Sequence, residues 1–373
     1  MRGSAGRCWW AGLLACALSG AVQARSLEGC AAPASPDCLF AFQPAGSART
    51  VRFFGSIDPA DAARRDPPTQ AYIVVHGHAR DAARIFDATW SVLQRAGRAR
   101  TAVLVAPLFQ VSADADTRCQ TRGGPPAQAG DLLWSCSSWI DGGRAVDAGL
   151  GSFEVLDALV EHLQSTWPSI TRVTIAGFSA GAQLVQRHVG LSRRVDDGSL
   201  QRRHVVASPG TWLYLDDQRP QPRRDGEPAV WDACVEPAGS DASCQIHFTR
   251  PVTDCAGFNA WKHGLEGLPA WTSTDEPAVV AARYAAASVR YLVGAADRQA
   301  GPGAFHPMPD RGCAAMLQGP DRLRRALAYV QHENETRSPR PPRHLSVVPG
   351  CGHDVRCVFG SPQGAAALLD EGP

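Results

Sequence analysis

The residues with the clearest chemical potential are 177–181, which read Gly-Phe-Ser-Ala-Gly. They follow a β-branched apolar run at 172–176 and precede a helix-forming segment at 182–189. Gly-x-Ser-x-Gly between a strand and a helix is typical of a nucleophile elbow, a sharp turn that presents a strained serine to substrate. The pattern therefore predicts Ser179 as a nucleophile. The alternative is a tight glycine-rich turn that carries an ordinary serine.

A serine nucleophile needs a base within hydrogen-bond reach and a carboxylate that orients this base. His353 is the candidate base, because it follows the strand-like residues 344–348 in a loop that contains two glycines. Asp297 is the candidate carboxylate, because it lies just past the strand-like residues 289–293. Two alternatives stay open: Asp297 could be a turn residue or helix cap, and Asp354 is close enough to His353 to compete as its partner.

The tripeptide His76-Gly77-His78 comes directly after the apolar run 71–75. The backbone N–H of His78 would face that of Ala180, and the two would stabilise an oxyanion. His76 and His78 could instead be packing residues or metal ligands. We expect no metal, because no His-Glu-x-x-His or similar frame accompanies them. We expect no cofactor either.

The amino terminus has the pattern of a secretory signal at residues 1–24. Arg2 and Arg7 precede a mostly apolar stretch, and small residues before Arg25 suit cleavage. The alternatives are a membrane anchor, for which the stretch is short, and a lipoprotein box at 13–16. We expect a secreted or periplasmic protein with no later membrane span.

Ten of the twelve cysteines lie after residue 24. An even number of cysteines in an exported chain favours disulfides, although the connectivity does not follow from sequence. Pairing of nearest neighbours predicts the bonds Cys30–Cys38, Cys119–Cys136, Cys234–Cys244, Cys255–Cys313 and Cys351–Cys357. The last of these would close a small loop around His353.

The formal net charge is only +1, from 37 basic and 36 acidic residues. Arginine pairs occur, but they are short and interrupted by acidic residues and prolines, which is typical of solvated surface. We therefore expect no nucleic-acid partner.

Strand and helix patterns alternate along the chain, which indicates an α/β fold. The helical patterns lie at 81–96, 152–166 and 320–332. The central strands are short, apolar and β-branched, as a parallel sheet covered on both faces requires. The eight strand candidates are 38–42, 50–54, 71–75, 101–106, 172–176, 204–208, 289–293 and 344–348.

We expect residues 25–49 to form an irregular segment and residues 50–373 to form one domain. Two long stretches, 107–150 and 209–284, do not fit the alternating pattern. Long loops inside a compact domain are usually functional, and both stretches follow the carboxyl ends of strands. We predict that 209–284 is a cap or lid over Ser179, whose tryptophans form a small core of its own.

With these elements in place, the chain resembles an α/β-hydrolase-fold serine hydrolase over about residues 50–370. The likeness is specific at 75–77, at 177–181 and in the His353 loop. The chain is also similar to a group of poorly characterised secreted α/β-hydrolases of bacteria and fungi, in which Ser-Ala-Gly-x-Gln occurs as it does at 179–183. The segments 208–214 and 261–267 share this likeness. The chain departs from many lipases and esterases, because it lacks their repeated-glycine oxyanion motif.

The resemblance implies hydrolysis of carboxylic esters, small or polymeric, through a Ser179–His353–Asp297 triad and an acyl-enzyme. Two other functions are compatible with the sequence. One is a serine peptidase or amidase on the same fold, and the other is a catalytically silent hydrolase fold used as a binding module.

Overall fold

A computed structural model describes the chain in nine stretches, and all structural statements below concern these residues. The stretches are 34–63, 65–146, 149–194, 198, 200–231, 244–272, 275–298, 310–337 and 341–370. The predicted signal peptide at 1–24 lies outside them.

The described residues form eleven strands in two sheets. The strands are β1 (Leu39–Phe42), β2 (Val51–Gly55), β3 (Gln70–Val75), β4 (Ala102–Pro107), β5 (Arg172–Phe178), β6 (Gln201–Ala207), β7 (Arg219–Arg224), β8 (Glu227–Pro228), β9 (Cys244–Thr249), β10 (Ser288–Gly294) and β11 (Leu345–Val348).

The central sheet has eight strands in the order β1-β2-β4-β3-β5-β6-β10-β11. β2 is antiparallel to both of its neighbours, and all other pairs are parallel. Strands β3, β4 and β5 are almost wholly buried, as expected of a parallel sheet with helices on both faces. The predicted mostly parallel eight-stranded sheet is confirmed.

The edge strand β1 lies inside the segment 25–49, which is therefore not irregular throughout. Its pairing with β2 is antiparallel, with Phe40 opposite Phe53 and Phe42 opposite Val51. The rings of Phe40 and Phe53 are 6.0 Å apart, and Phe42 is buried in the core. This apolar packing draws the strand onto the sheet.

Among the described residues, eight α-helices accompany the sheet. They are α1 (Ala82–Arg95), α2 (Ser152–Thr166), α3 (Ala180–Leu191), α4 (Pro277–Ala286), α5 (Cys313–Met316), α6 (Arg322–Arg337), α7 (Val355–Gly360) and α8 (Pro362–Leu369).

The helices cover both faces of the sheet, as predicted. Apolar side chains of α2, α3, α4 and α6 join one core, and those of α1, α7 and α8 join the other. Helix α6 runs five residues beyond the predicted 320–332, because Glu333 is buried in an ion pair with Arg343 and so continues the packed face. No described helix combines the length and apolar character that crossing a bilayer demands.

Three disulfides lie within the described ranges, and they match predicted pairs: Cys119–Cys136, Cys255–Cys313 and Cys351–Cys357. Cys38 and Cys244 are also disulfide-bonded. Their predicted partners, Cys30 and Cys234, lie outside the described residues. Disulfides are typical of proteins in oxidising compartments.

The stretch 107–150 packs against the main core rather than forming an open loop. Phe109 stacks on Trp139 with ring centroids 5.3 Å apart and meets Trp134 edge-on at 5.1 Å. A buried ion pair of 2.7 Å between Arg52 and Asp131 ties the stretch to β2.

The stretch 209–284 begins and ends in the main core and carries a small sheet in between. Its first residues belong to the main core, where Trp212 stacks on Tyr329 of α6 at 4.3 Å. The later residues include the three-stranded sheet β8-β7-β9, which rests against α6. There Phe248 of β9 packs 4.6 Å from the ring of His332. Trp212 therefore serves the main core and not a core of the insertion.

Candidate active site

Ser179 lies in the turn between β5 and α3 with a left-handed backbone, φ 58° and ψ −118°. A non-glycine residue pays a conformational penalty there, which the packed surroundings must impose. Glycines flank the turn for steric reasons. A Cβ at Gly177 would collide with the carbonyl of Gly181, and a Cβ at Gly181 would collide with the carbonyl of Val75. The predicted sharp turn is thus present, with Ser179 at its apex.

His353 bridges Ser179 and Asp297, which are 118 residues apart in sequence. Its Nε2 lies 2.9 Å from Ser179 Oγ, and its Nδ1 lies 2.7 Å from Asp297 Oδ2. Because a carboxylate only accepts hydrogen bonds, Nδ1–H donates to Asp297 and Nε2 is left to accept from the serine hydroxyl. This is the tautomer that a general base needs.

Asp354, the competing carboxylate, points elsewhere. It caps α7 by accepting the backbone N–H of Arg356 at 2.8 Å, and it pairs with Arg84 at 3.0 Å. An aspartate at a helix N-cap satisfies an orphan backbone donor, which holds it in place. Of the two candidates, Asp297 is the one in contact with His353.

Arg322 is a site residue that the sequence analysis missed. Its Nη1 lies 3.3 Å from Asp297 Oδ1, and both side chains are buried. Burial alone would raise the pKa of Asp297. The hydrogen bond from His353 and the charge of Arg322 have the larger, opposite effect, so the pKa of Asp297 lies below its usual value. Asp297 is therefore ionised at neutral pH. The sequence offered no signal, since Arg322 sits in a polar helix start 25 residues away.

The loop after β3 lies beside the serine. A Cβ built on Gly77 would be 3.7 Å from the Cβ of Ser179, so the backbone at Gly77 is in close contact with the serine. His78, the next residue, therefore lies at the edge of the site. Ala180 is the first residue of α3, and its N–H has no acceptor within the helix. The two predicted oxyanion donors are thus carried by segments that adjoin Ser179.

His76 has a structural role. Its Nε2 accepts the backbone N–H of Phe109 at 3.1 Å, so its Nδ1 is protonated and donates to the Gly77 carbonyl at 2.8 Å. Burial lowers the pKa of His76 to about 3, which keeps the ring neutral. Both nitrogens are committed, so neither is available to a metal. In the part of the chain that the structure describes, no group of three or more His, Cys, Asp or Glu side chains could hold a metal ion.

The His353 loop is held from two sides. The disulfide between Cys351 and Cys357 spans six residues and encloses the histidine. On the other side, the Cys351 carbonyl accepts the N–H of Ala296 at 2.8 Å, next to Asp297. The segments that carry the base and the carboxylate are therefore joined directly by backbone.

Three features together decide the architecture. They are the strand order with an antiparallel second strand, the sharp serine turn after β5, and helices on both faces of the sheet. The chain has the α/β-hydrolase fold. Solved structures agree. The chain is 18% identical to a poly(3-hydroxybutyrate) depolymerase from Bordetella parapertussis, with 89% of each chain covered and a TM-score of 0.54. It is 16% identical to a poly(aspartic acid) hydrolase from Sphingomonas sp. KT-1, with 89% of this chain and 96% of that chain covered and a TM-score of 0.52.

These likenesses concern the α/β-hydrolase fold and not the activity, because the identities are low. Neither a protein-family model nor a curated protein matches the sequence.

Proposed function

We propose that the protein is a serine hydrolase of carboxylic esters with Ser179 as nucleophile, His353 as general base and acid, and Asp297 as the orienting carboxylate. The observation that carries this proposal is the hydrogen-bonded chain from Ser179 Oγ through His353 to Asp297, with distances of 2.9 and 2.7 Å. These contacts lie within the range that proton transfer needs.

In the proposed reaction, His353 Nε2 takes the proton of Ser179 as Oγ attacks the acyl carbonyl. The N–H groups of His78 and Ala180 stabilise the oxyanion, and Asp297 stabilises the imidazolium. His353 then protonates the leaving alcohol, which departs and leaves an acyl-enzyme. Water, activated by His353, attacks the acyl-enzyme and releases the acid.

The substrate is proposed to be an ester, either small or polymeric. The likeness to a depolymerase of poly(3-hydroxybutyrate) supports testing polyesters, and the likeness to a poly(aspartic acid) hydrolase supports testing amides in parallel. The predicted lid over Ser179 remains a proposal. Its three-stranded sheet contacts α6, where Phe248 packs on His332.

Export through the segment 1–24 is part of the proposal. The disulfides support it, because thiols in cytosolic proteins are usually kept reduced.

Two assays test the proposal. The first is labelling of the serine with a fluorophosphonate, and the second is turnover of a p-nitrophenyl ester series, of peptide anilides and of a polyester film. Ser179→Ala should abolish labelling and lower kcat by at least about 10⁴-fold. A folded wild-type protein that neither labels nor turns over any ester or amide would indicate a binding module instead.

Two aspartates provide a matched pair for the same assays. Asp297→Asn should lower kcat by about 10⁴-fold, because the amide favours the wrong imidazole tautomer. Asp354→Asn, one residue from His353, should retain wild-type turnover, because the carboxylate of Asp354 binds Arg84 and the start of α7 rather than the histidine.

A further inference from the structure

A buried arginine lies five residues after the end of the strand-like run that leads into the site. Arg80 follows the His76-Gly77-His78 loop, and only 1% of its surface is exposed. Its backbone is left-handed, with φ 56°. A charged side chain is costly to bury without partners, and a left-handed backbone adds to this cost. The surroundings of Arg80 must therefore offset both the burial of its charge and its backbone conformation.

The guanidinium of Arg80 joins the loop to the stretch 107–150 through four hydrogen bonds. The two N–H groups of Nη1 are shared among three acceptors: the carbonyl of His78 at 3.2 Å, the carbonyl of Cys119 at 3.1 Å and Thr121 Oγ1 at 3.2 Å. Nη2 donates to the carbonyl of Cys136 at 2.7 Å. One side chain thus binds the carbonyl of His78 and the carbonyls of both cysteines of the Cys119–Cys136 disulfide.

The backbone reinforces the same junction. The N–H of Arg80 donates to the carbonyl of Gly77 at 3.1 Å, and the N–H of Arg122 donates to the carbonyl of Ala79 at 2.8 Å. Asp116 lies near enough for its negative charge to favour the protonated guanidinium of Arg80. Burial lowers the pKa of Arg80 to about 10, so the guanidinium stays protonated at neutral pH.

We propose that Arg80 is a positioning residue that fixes the His78 peptide as an oxyanion donor, with the Cys119–Cys136 disulfide as its anchor. The donor N–H belongs to the Gly77–His78 peptide, whose carbonyl accepts from His76 Nδ1 and from the backbone N–H of Arg80. The guanidinium holds the adjoining His78–Ala79 peptide through the His78 carbonyl. Holding the carbonyl limits rotation of this segment beside Ser179. A donor displaced by about 1 Å can cost about 100-fold in rate. The proposal rests on the proposed function.

The test compares Arg80→Met with Arg343→Met, a matched control. Arg343 is also buried and donates to three carbonyls, those of Tyr284, Ala285 and Ala287. It also pairs with the buried Glu333 at 2.6 Å, so Arg343→Met should lose at least as much stability as Arg80→Met. Arg343 precedes β11, so it lies at the amino ends of the parallel strands, whereas Ser179 and His353 follow their carboxyl ends. Both variants should lose stability, but only Arg80→Met should lose turnover.

For Arg80→Met we expect kcat to fall by about 10- to 100-fold with KM within about threefold, because the loss falls on the transition state. The inhibition constant of phenylboronic acid, which forms a tetrahedral adduct on serine, should rise in parallel. The acid limb of the pH profile should stay in place, since the His353–Asp297 contact is untouched. A purely structural role would not produce this combination.

A double-mutant cycle tests the anchor, and it serves equally if Arg80→Met does not fold. Arg80→Lys and the pair Cys119→Ser/Cys136→Ser should each lower kcat, and their combination should cost less than the product of the two effects. Effects that multiply independently would overturn the role of the disulfide.

A folded Arg80→Met variant with wild-type kcat would overturn the role of Arg80 while leaving the hydrolase intact. A wild-type protein in which Ser179 is unreactive would overturn both proposals, so the two failures are distinguishable.

Discussion

The two long stretches that interrupt the alternation of strands and helices look alike in sequence but are built differently. Both are enriched in tryptophan, and glycine is frequent in the first stretch and proline in the second. Residues 107–150 lie against the core, with Trp134 and Trp139 buried and Asp131 paired with Arg52. Residues 209–284 enter the main core at both ends, through Trp212 and Tyr284, but between them they form a separate sheet in which β9 has no buried residue and its exposure alternates.

This difference bears on function. The first stretch supplies carbonyls to Arg80 and packs Phe109 against His76, so it supports the loop next to Ser179. The second stretch reaches α6, whose Arg322 contacts Asp297. A long insertion can therefore act as a fixed wall of a site rather than as a moving lid, and burial distinguishes the two cases better than composition does.

The largest expected effect concerns the buried ion pair of the first stretch. Asp131→Ala should lower the free energy of unfolding by about 3–5 kcal/mol, because it leaves Arg52 buried without its partner. Denaturant unfolding measures this loss. The control is Asp217→Ala, which breaks the exposed pair with Arg250 in the second stretch and should cost less than about 1 kcal/mol. Equal losses would remove the distinction between the two stretches.

The disulfides should separate stability from turnover. Cys255–Cys313 closes a span of 58 residues and Cys119–Cys136 a span of 17. Chain entropy predicts that replacing both cysteines by serine costs about 4 kcal/mol for the first and about 3 kcal/mol for the second. We nevertheless expect kcat to fall more for the shorter one, because it anchors Arg80. Unfolding curves and steady-state kinetics on both double variants check this, and the reverse order of kcat effects would contradict it.

The attachment of the second stretch to α6 should depend on pH. Asp216 accepts from His332 at 3.0 Å and from Arg337 at 3.0 Å. Burial alone would raise the pKa of Asp216. The hydrogen bond from His332 and the charge of Arg337 have the larger, opposite effect, so the pKa of Asp216 lies below its usual value. A carboxyl with a depressed folded pKa adds stability above its unfolded pKa of about 4, and this stability is lost as the pH falls through the folded value.

Asp216→Asn should therefore cost about 1–2 kcal/mol at neutral pH and almost nothing in strong acid. Unfolding at a series of pH values from neutral to acid measures the difference between variant and wild type. A difference that stays constant across this range would show that the charge of Asp216 does not hold the insertion.

Much of the architecture was readable from local pattern. The β-branched run 172–176 and the glycines at 177 and 181 predicted the strand, the turn and the serine at its apex, because steric limits on backbone and side chain act between near neighbours. Helix α2 coincides with the predicted 152–166 for the same reason. Helix α6 was predicted too short, because its last turn is polar and is supported by the contact of Glu333 with Arg343, which lies beyond the end of the helix.

The sequence by itself determined the elements and the short list of groups capable of chemistry: Ser179, two aspartates and His353. Only the tertiary structure decided that Asp297 and not Asp354 meets the histidine, that Arg322 lies behind it, and that Arg80 grips the loop beside the serine. The physical reason is range. Strand, helix and turn preferences depend on adjacent residues, whereas a hydrogen bond across 56 positions depends on how the whole sheet brings its strand ends together.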